Sequence, residues 1–177
     1  MWLFRRRSRP FTELEWLEQD AAHGHAVAQF QLGMKYDEGK DVPKDEARGL
    51  SLIQMAAEQG AAFASNTLGT IYMGRGDLQK GFKWTQKAAE QGLANAQGML
   101  GILYASGIAI PKDEIQACVW LTVAAANDCP GDRKLLKKLA SALSPQQRAE
   151  VEKLVVELLV KLPRISFREH AERLGLM

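Results

Sequence analysis

The chain has 177 residues, of which 46% are hydrophobic and 25% are charged, and its formal net charge is +2. This composition is typical of one folded domain and argues against a disordered chain. So small a net charge does not indicate nucleic acid as a partner. No apolar run approaches the roughly 20 residues that a transmembrane helix requires.

The first ten residues hold a concentration of positive charge. The apolar residues at 2–4 come before the arginines, which is the reverse of the order in a secretory signal, so a cytoplasmic location is predicted. We expect residues 1–10 to form a flexible basic N-terminus. The alternative is a weak peripheral contact with the inner face of the membrane, with apolar side chains at the interface and arginines on anionic lipid. The membrane-surface candidates are Trp2, Phe4, Arg5, Arg6 and Arg7.

Residues 12–24 are predicted to form a lone helix at the start of a repeat array. The segment from Trp16 to Gly24 has the same spacing as the segment from Trp84 to Gly92 further along the chain. Thr12 and Glu15 make a capping box for the start of this helix. We therefore interpret 12–24 as a half-unit that begins the array.

Short strings recur through the next hundred residues. Residues 43–46 (Pro-Lys-Asp-Glu) return at 111–114, and residues 57–60 (Ala-Glu-Gln-Gly) return at 89–92. A period of roughly 30–40 residues is the signature of a solenoid, whose units bury a face only against their neighbours. Apolar residues follow helical spacing, and alternating β-branched stretches are absent. The chain is therefore predicted to be all-α.

Three helix pairs align on a Leu-Gly-x-x-Tyr motif in their first helices, at 32–36, 68–72 and 100–104. A glycine inside a helix costs about 0.5–1 kcal/mol relative to alanine, so its return three times predicts close helix contact. The interval from the second motif to the third is shorter than that from the first to the second, which predicts a clipped loop between Tyr72 and Asp77. Pro43 and Pro111 are predicted to open the second helices. The units are placed at 25–60, 61–92 and 93–128, so the array covers 11–128.

Residues 129–162 are predicted to be capping helices, at about 132–143 and 145–162. Ser144 is a good N-cap for the second of these helices, with proline and glutamine behind it. An apolar stripe from Val151 to Leu162 is expected to close the open end of the array. The tail, 163–177, is interpreted as flexible or as a short helix from Ser166; alternatively it folds back onto the array or pairs with another copy.

The repeated pattern resembles that of a known family. It reads Ala-x-x-x-Leu-Gly-x-x-Tyr-x-x-Gly, then Val or Ile before Pro-Lys-Asp-x-x-x-Ala, then Trp-x-x-x-Ala-Ala-Glu-x-Gly, and it covers 12–128. It resembles the Sel1-like repeat family, a relative of tetratricopeptide repeats. The first unit departs at Leu52, where the family favours tryptophan, and the middle unit lacks the long loop. The resemblance implies a right-handed α/α superhelical solenoid and a role as an adaptor or scaffold without catalytic residues.

A concave groove is the candidate binding site. If the first helices line it, the positions between their structural residues face it, and their apolar members suit a helix or an extended peptide. The alternative is that some of these residues pack against the next helix. The groove positions are Val27, Gln31, Met34 and Glu38, then Phe63, Thr67 and Thr70, then Asn95, Met99 and Ile102.

The function predicted from these observations is non-catalytic binding of another protein or peptide. Two alternatives are an immunity-type protein that neutralises a bacterial effector and a peripheral membrane organiser held by residues 1–9; an enzyme with an unrecognised site is a third class. No metal is expected, because the histidines at 23, 25 and 170 are scattered, and no cofactor is expected, because the sequence has no Gly-rich phosphate loop. Neither Cys118 nor Cys129 has a C-x-x-C partner, and Cys118 is predicted to be a small core residue. The oligomeric state stays open.

Overall fold

The computed structural model describes residues 12–127, 129 and 133–163, and the regular elements in these ranges are α-helices. The all-α prediction is confirmed. The predicted basic N-terminus and almost all of the predicted tail lie outside the described residues. The helices are α1 (Glu13–Ala22), α2 (Ala26–Glu38), α3 (Glu46–Glu58), α4 (Ala62–Gly74), α5 (Leu78–Glu90), α6 (Ala94–Ser106), α7 (Glu114–Ala126), α8 (Arg133–Ala142) and α9 (Pro145–Lys161).

The predicted helix starts at Thr12 and Ser144 are confirmed, and each carries a capping box. At α1 the Glu15 amide donates to Thr12 Oγ1 over 3.2 Å, and the Thr12 amide donates to the Glu15 carboxylate over 2.8 Å. At α9 the same reciprocal pair joins Ser144 and Gln147. Each box satisfies two amides that the helix itself leaves without acceptors.

The prediction that prolines open the second helices is wrong by three residues. Pro111 lies in the loop, α7 begins at Glu114, and the Asp113 carboxylate caps it by accepting from the Gln116 amide over 2.9 Å. Pro43 likewise precedes the first residue of α3 by three positions. An aspartate side chain satisfies a free amide at a helix start, which a proline ring does not do, so the aspartate sets the boundary.

The first compact unit extends to Ala56 and contains α1, α2 and most of α3. Gly33 lets α2 approach α3 closely, because a Cβ at this position would lie 2.9 Å from the carbonyl oxygen of Gly49. Gln29 is buried and donates to the carbonyl of Ala21, which ties α2 to α1. The core of this unit contains Ala21, Ala28, Leu32 and Tyr36, with Leu14, Leu17, Val42 and Leu52 packed around them.

The second compact unit begins at Ala57 and contains α4 to α9. Helices α4, α5, α6 and α7 pack in succession, and α7 also contacts α8 and α9. Gly69 and Gly101 sit where α4 meets α5 and where α6 meets α7, so the predicted close contact is confirmed. The main core contains Ala62, Phe82, Ala88, Ala89, Leu93, Ala96, Leu100, Leu103 and Trp120.

The apolar stripe of α9 covers α7, as predicted for an array end. Val155 is buried with Val119 and Val123, and the other five members of the stripe pack against this cluster. Leu139 of α8 and Leu143, which follows this helix, pack in the same cluster as Cys118, which is 1% exposed. Burial, and then the nearby Glu114 carboxylate, raise the pKa of the Cys118 thiol, in agreement with its predicted role as a core residue.

The loop inside the middle pair is short. Helix α4 ends at Gly74 and α5 begins at Leu78, with Asp77 as the N-cap of α5. In the last pair α6 ends at Ser106, and Gly107 follows in the left-handed region at a φ of 71°. The predicted clipping of the middle loop is confirmed.

Candidate functional site

Four of the predicted groove positions lie on α2, in the first compact unit. Val27 is 38% exposed and Glu38 is also exposed, whereas Gln31 and Met34 are half-buried. Val27 is therefore an apolar side chain that α2 leaves open to water.

The other six positions lie on α4 and α6, in the second unit. Met99 and Ile102 are 42% and 38% exposed, one turn apart on α6. Thr70 and Asn95 are also exposed. Phe63 is half-buried and packs against the main core, which is the alternative that the sequence left open for such residues. Thr67 is half-buried as well.

An open depression of about 510 Å³ lies between α4 and α6, with α5 beneath it. It brings together three of the predicted positions, Thr70, Asn95 and Met99. Four further residues complete it, and none of the seven carries a charge. The lining residues are Asn66, Thr70, Met73 and Gly74 of α4, Thr85 of α5, and Asn95 and Met99 of α6.

Glycine at position 69 is what puts Thr85 on the floor of the depression. A Cβ on Gly69 would lie 2.5 Å from Thr85 Oγ1, so only a glycine lets α4 settle this close to α5. Thr85 is 2% exposed, and no other described residue hydrogen-bonds its hydroxyl. A repeat signature that serves packing thus also places a buried hydroxyl at the bottom of the depression.

The rim is partly held by hydrogen bonds. Thr70 Oγ1 donates to the carbonyl oxygen of Asn66 over 3.2 Å. Cys129 Sγ donates to Asn95 Oδ1 over 3.2 Å, which leaves the Asn95 amide hydrogens available. The Asn66 carboxamide has no hydrogen-bond partner elsewhere in the described ranges. The depression therefore offers open donors and acceptors between apolar side chains.

The sequence missed Asn66, Met73, Gly74 and Thr85. A signal for three of them existed, because 66, 70 and 73–74 have the i, i+4, i+7 and i+8 spacing of one helix face. The predicted face ran through Phe63 and Thr67, about one residue to the side. Thr85 had no such signal, since it lies on a second helix among small core residues.

Other kinds of site receive no support in the described ranges. Within them, no three His, Cys, Asp or Glu side chains come together as a metal site requires. The helices described there include none that is long and apolar enough to cross a membrane. The membrane-surface candidates Trp2, Phe4 and Arg5–Arg7 lie outside the described residues, as does His170.

Comparisons with known proteins agree with the helix pairs. The Sel1 repeat family model matches residues 26–60, 68–93 and 94–129. A crystal structure of a Sel1 repeat protein from Oxalobacter formigenes is 35% identical, with a TM-score of 0.65, over 74% of this chain and 99% of that one. A protective antigen present in uropathogenic Escherichia coli strains, which displays an SLR fold, is 28% identical, with a TM-score of 0.50. That match covers 84% of this chain but only 40% of the antigen. No curated protein gave a match.

Proposed function

Since the chain belongs to the Sel1 repeat family, we propose that it is a non-catalytic adaptor or scaffold that binds a partner protein on the α4–α6 face. Sel1 repeat proteins are generally protein-interaction scaffolds. The mechanism is recruitment, in which the partner gains affinity by covering apolar surface on a rigid helical frame.

Exposed apolar side chains beside the depression carry this proposal. The positions that define each repeat, such as Leu100 and Gly101, are buried and hold the helices together. Met99 and Ile102, on either side of Leu100 and Gly101 in the chain, are by contrast exposed apolar side chains. Apolar side chains grouped at a concave surface favour a binding role over a structural one.

The two alternatives stay predictions. Neutralisation of an effector concerns the identity of the partner, about which the fold is silent. The membrane organiser depends on residues 1–9, which lie outside the described ranges.

Affinity capture from the native cell tests the proposal with two matched variants. Met99→Lys places a charge in the depression, and Val156→Lys places the same charge on α9, where Val156 is 62% exposed. We expect wild type and Val156→Lys to retain the same partner and Met99→Lys to lose it. Ile102→Glu should weaken capture as well.

Circular dichroism and melting temperature establish that each variant is folded before capture is compared. Equal recovery of the partner by wild type and by a folded Met99→Lys would contradict the α4–α6 face as the binding surface.

A further inference from the structure

The chemistry of the depression narrows the kind of segment that it accepts. Its lining includes no charged side chain, so a bound segment finds no counter-ion there. Burying an unpaired charge in such a place is costly. An uncharged segment is therefore favoured at the point of contact, and its affinity should depend little on salt.

The polar groups of the depression that lack partners set a second requirement for the bound segment. The Asn66 carboxamide and the Thr85 hydroxyl have no partners in the part of the chain that the structure describes, and Asn95 keeps its amide hydrogens available. A carboxamide offers both a donor and an acceptor. Covering these groups with a purely apolar surface would leave them unpaired, at a cost in affinity. The segment must therefore bring donors and acceptors of its own.

These two demands separate an extended segment from a helix. An α-helix has already paired its main-chain amides and carbonyls with each other, so it has few left to offer. An extended chain presents them along its length and sends alternate side chains in opposite directions. We infer that the depression binds an extended, uncharged segment of the partner. Its main chain hydrogen-bonds to Asn66 and Asn95, and one apolar side chain lies between Met73 and Met99.

This inference rests on the proposed function and refines it. The first test pans a phage library of random linear peptides on the full chain, with Met99→Lys and Val156→Lys in parallel. We expect enrichment on wild type and Val156→Lys but not on Met99→Lys. The enriched peptides should share an apolar residue flanked by uncharged ones. Enrichment of predominantly acidic or basic peptides, or of none above the Met99→Lys background, would overturn the inference.

A synthetic copy of the most enriched peptide then tests how it is held. Calorimetry should give dissociation constants that agree within about twofold between about 0.05 and 0.5 M NaCl. N-methylation of the main-chain amide next to the apolar residue should weaken binding about tenfold, as the loss of one hydrogen bond does. The variants Asn95→Leu and Asn66→Leu, each examined once shown to be folded, should have similar effects.

Unchanged affinity after N-methylation, together with tighter binding by a helix-stabilised version of the peptide, would overturn the extended mode. The failure of the inference and that of the proposed function are distinguishable. If Met99→Lys loses the native partner while the selected peptides are charged or helical, the α4–α6 face stands as the binding surface and only its chemistry has been misread.

Discussion

The middle helix pair (α4–α5) and the last pair (α6–α7) share their close backbone contacts but differ in one polar clamp. In the last pair, the buried Gln97 donates to the carbonyl of Ala89 over 3.3 Å and accepts from Asn127 Nδ2 over 3.0 Å. The middle pair has Ser65 and Gln91 at the positions of Gln97 and Asn127. Ser65 Oγ and Gln91 Oε1 are buried and lack hydrogen-bond partners among the described residues.

A lysine satisfies the carbonyl that the shorter serine does not reach. Ala57, on α3, has the same position before the middle pair that Ala89, on α5, has before the last pair, and its carbonyl oxygen accepts from Lys87 Nζ over 2.9 Å. The same ammonium lies 4.8 Å from the centre of the Trp84 ring. In both places a buried carbonyl accepts a hydrogen bond, but the donor is a lysine in one and a glutamine in the other. The glycines at the helix contacts, in contrast, cannot be replaced by another residue, because any side chain there would clash with the facing helix.

The largest effect on stability is expected from Gln97→Ser. This substitution introduces the serine that the middle pair has at this position, but not the lysine that pairs the carbonyl there. Val123 occupies the position of Lys87, so the Ala89 carbonyl and the Asn127 amide both lose their partner and a cavity opens. We expect the free energy of unfolding to fall by about 2–4 kcal/mol. Urea denaturation measures it, with Gln146→Ser, exposed on α9, as the control that changes stability little. A loss no greater than that of the control would show that the clamp does not stabilise the pair.

Gly101→Ala tests the contact that both pairs share. The new Cβ would lie 2.7 Å from Leu121 Cγ, and at Gly69 in the middle pair it would lie 2.5 Å from Thr85 Oγ1. Each substitution should destabilise the fold by about 1–3 kcal/mol through overpacking. Gly98→Ala is the matched control in α6, since its Cβ would meet only ordinary contacts at 3.8 Å or more.

At Gly98 an alanine should be neutral or stabilise by up to about 1 kcal/mol, because it favours the helix. Unfolding free energies that rank Gly101→Ala at or above Gly98→Ala would remove the packing reason for the repeated glycine.

Lys87→Met comes third, because it removes the donor to Ala57 and keeps most of the apolar stem. The carbonyl left without a partner should cost about 1–2 kcal/mol. Adding Ser65→Gln should recover part of this loss, since the longer side chain restores the donor that the last pair uses. A double-mutant cycle of unfolding free energies measures the coupling. Strict additivity of the two substitutions would show that lysine and glutamine do not serve the same carbonyl.

The sequence predicted the features that local spacing determines. Helix periodicity, the capping boxes at Thr12 and Ser144, and the Leu-Gly-x-x-Tyr motifs each act through residues a few positions apart, so their outcome is visible in one dimension. The Gln97 clamp was missed because a glutamine inside a helix is ordinarily exposed. Its signal was the recurrence of glutamine at 29 and 97, at matching positions of the first and last pairs.

The site was predicted only in part, for a related reason. Thr70, Asn95 and Met99 share a depression, but the residue that forms its floor, Thr85, comes from another helix. Which helix face borders the depression depends on how α4 and α6 lean on α5, and no spacing within a single helix encodes that tilt. Phe63 illustrates the same dependence, since packing against the core was the alternative that the sequence left open for it, and the core reaches the first turn of α4.

The smallest expected effect is on the pH dependence of stability, and it arises from a difference between the loops of the two pairs. Asp77 caps α5 in the middle pair, and its carboxylate also pairs with Lys80 Nζ at 2.8 Å, whereas Gln116 occupies the position of Lys80 in the last pair. The hydrogen bond from the Lys80 side chain, followed by that from its backbone amide, lowers the pKa of Asp77 below its ordinary value. Folding therefore favours the ionised carboxylate. That contribution is complete above the ordinary aspartate pKa of about 3.9 and is lost as the pH falls through the lower folded pKa.

Asn keeps the cap but carries no charge, and Lys80→Gln copies the last pair. Both Asp77→Asn and Lys80→Gln should therefore show a smaller fall in melting temperature between about pH 7 and pH 3 than the wild type does. An equal fall in all three proteins would mean that the ion pair at the clipped loop adds no measurable stability, because water screens it as it does many exposed pairs.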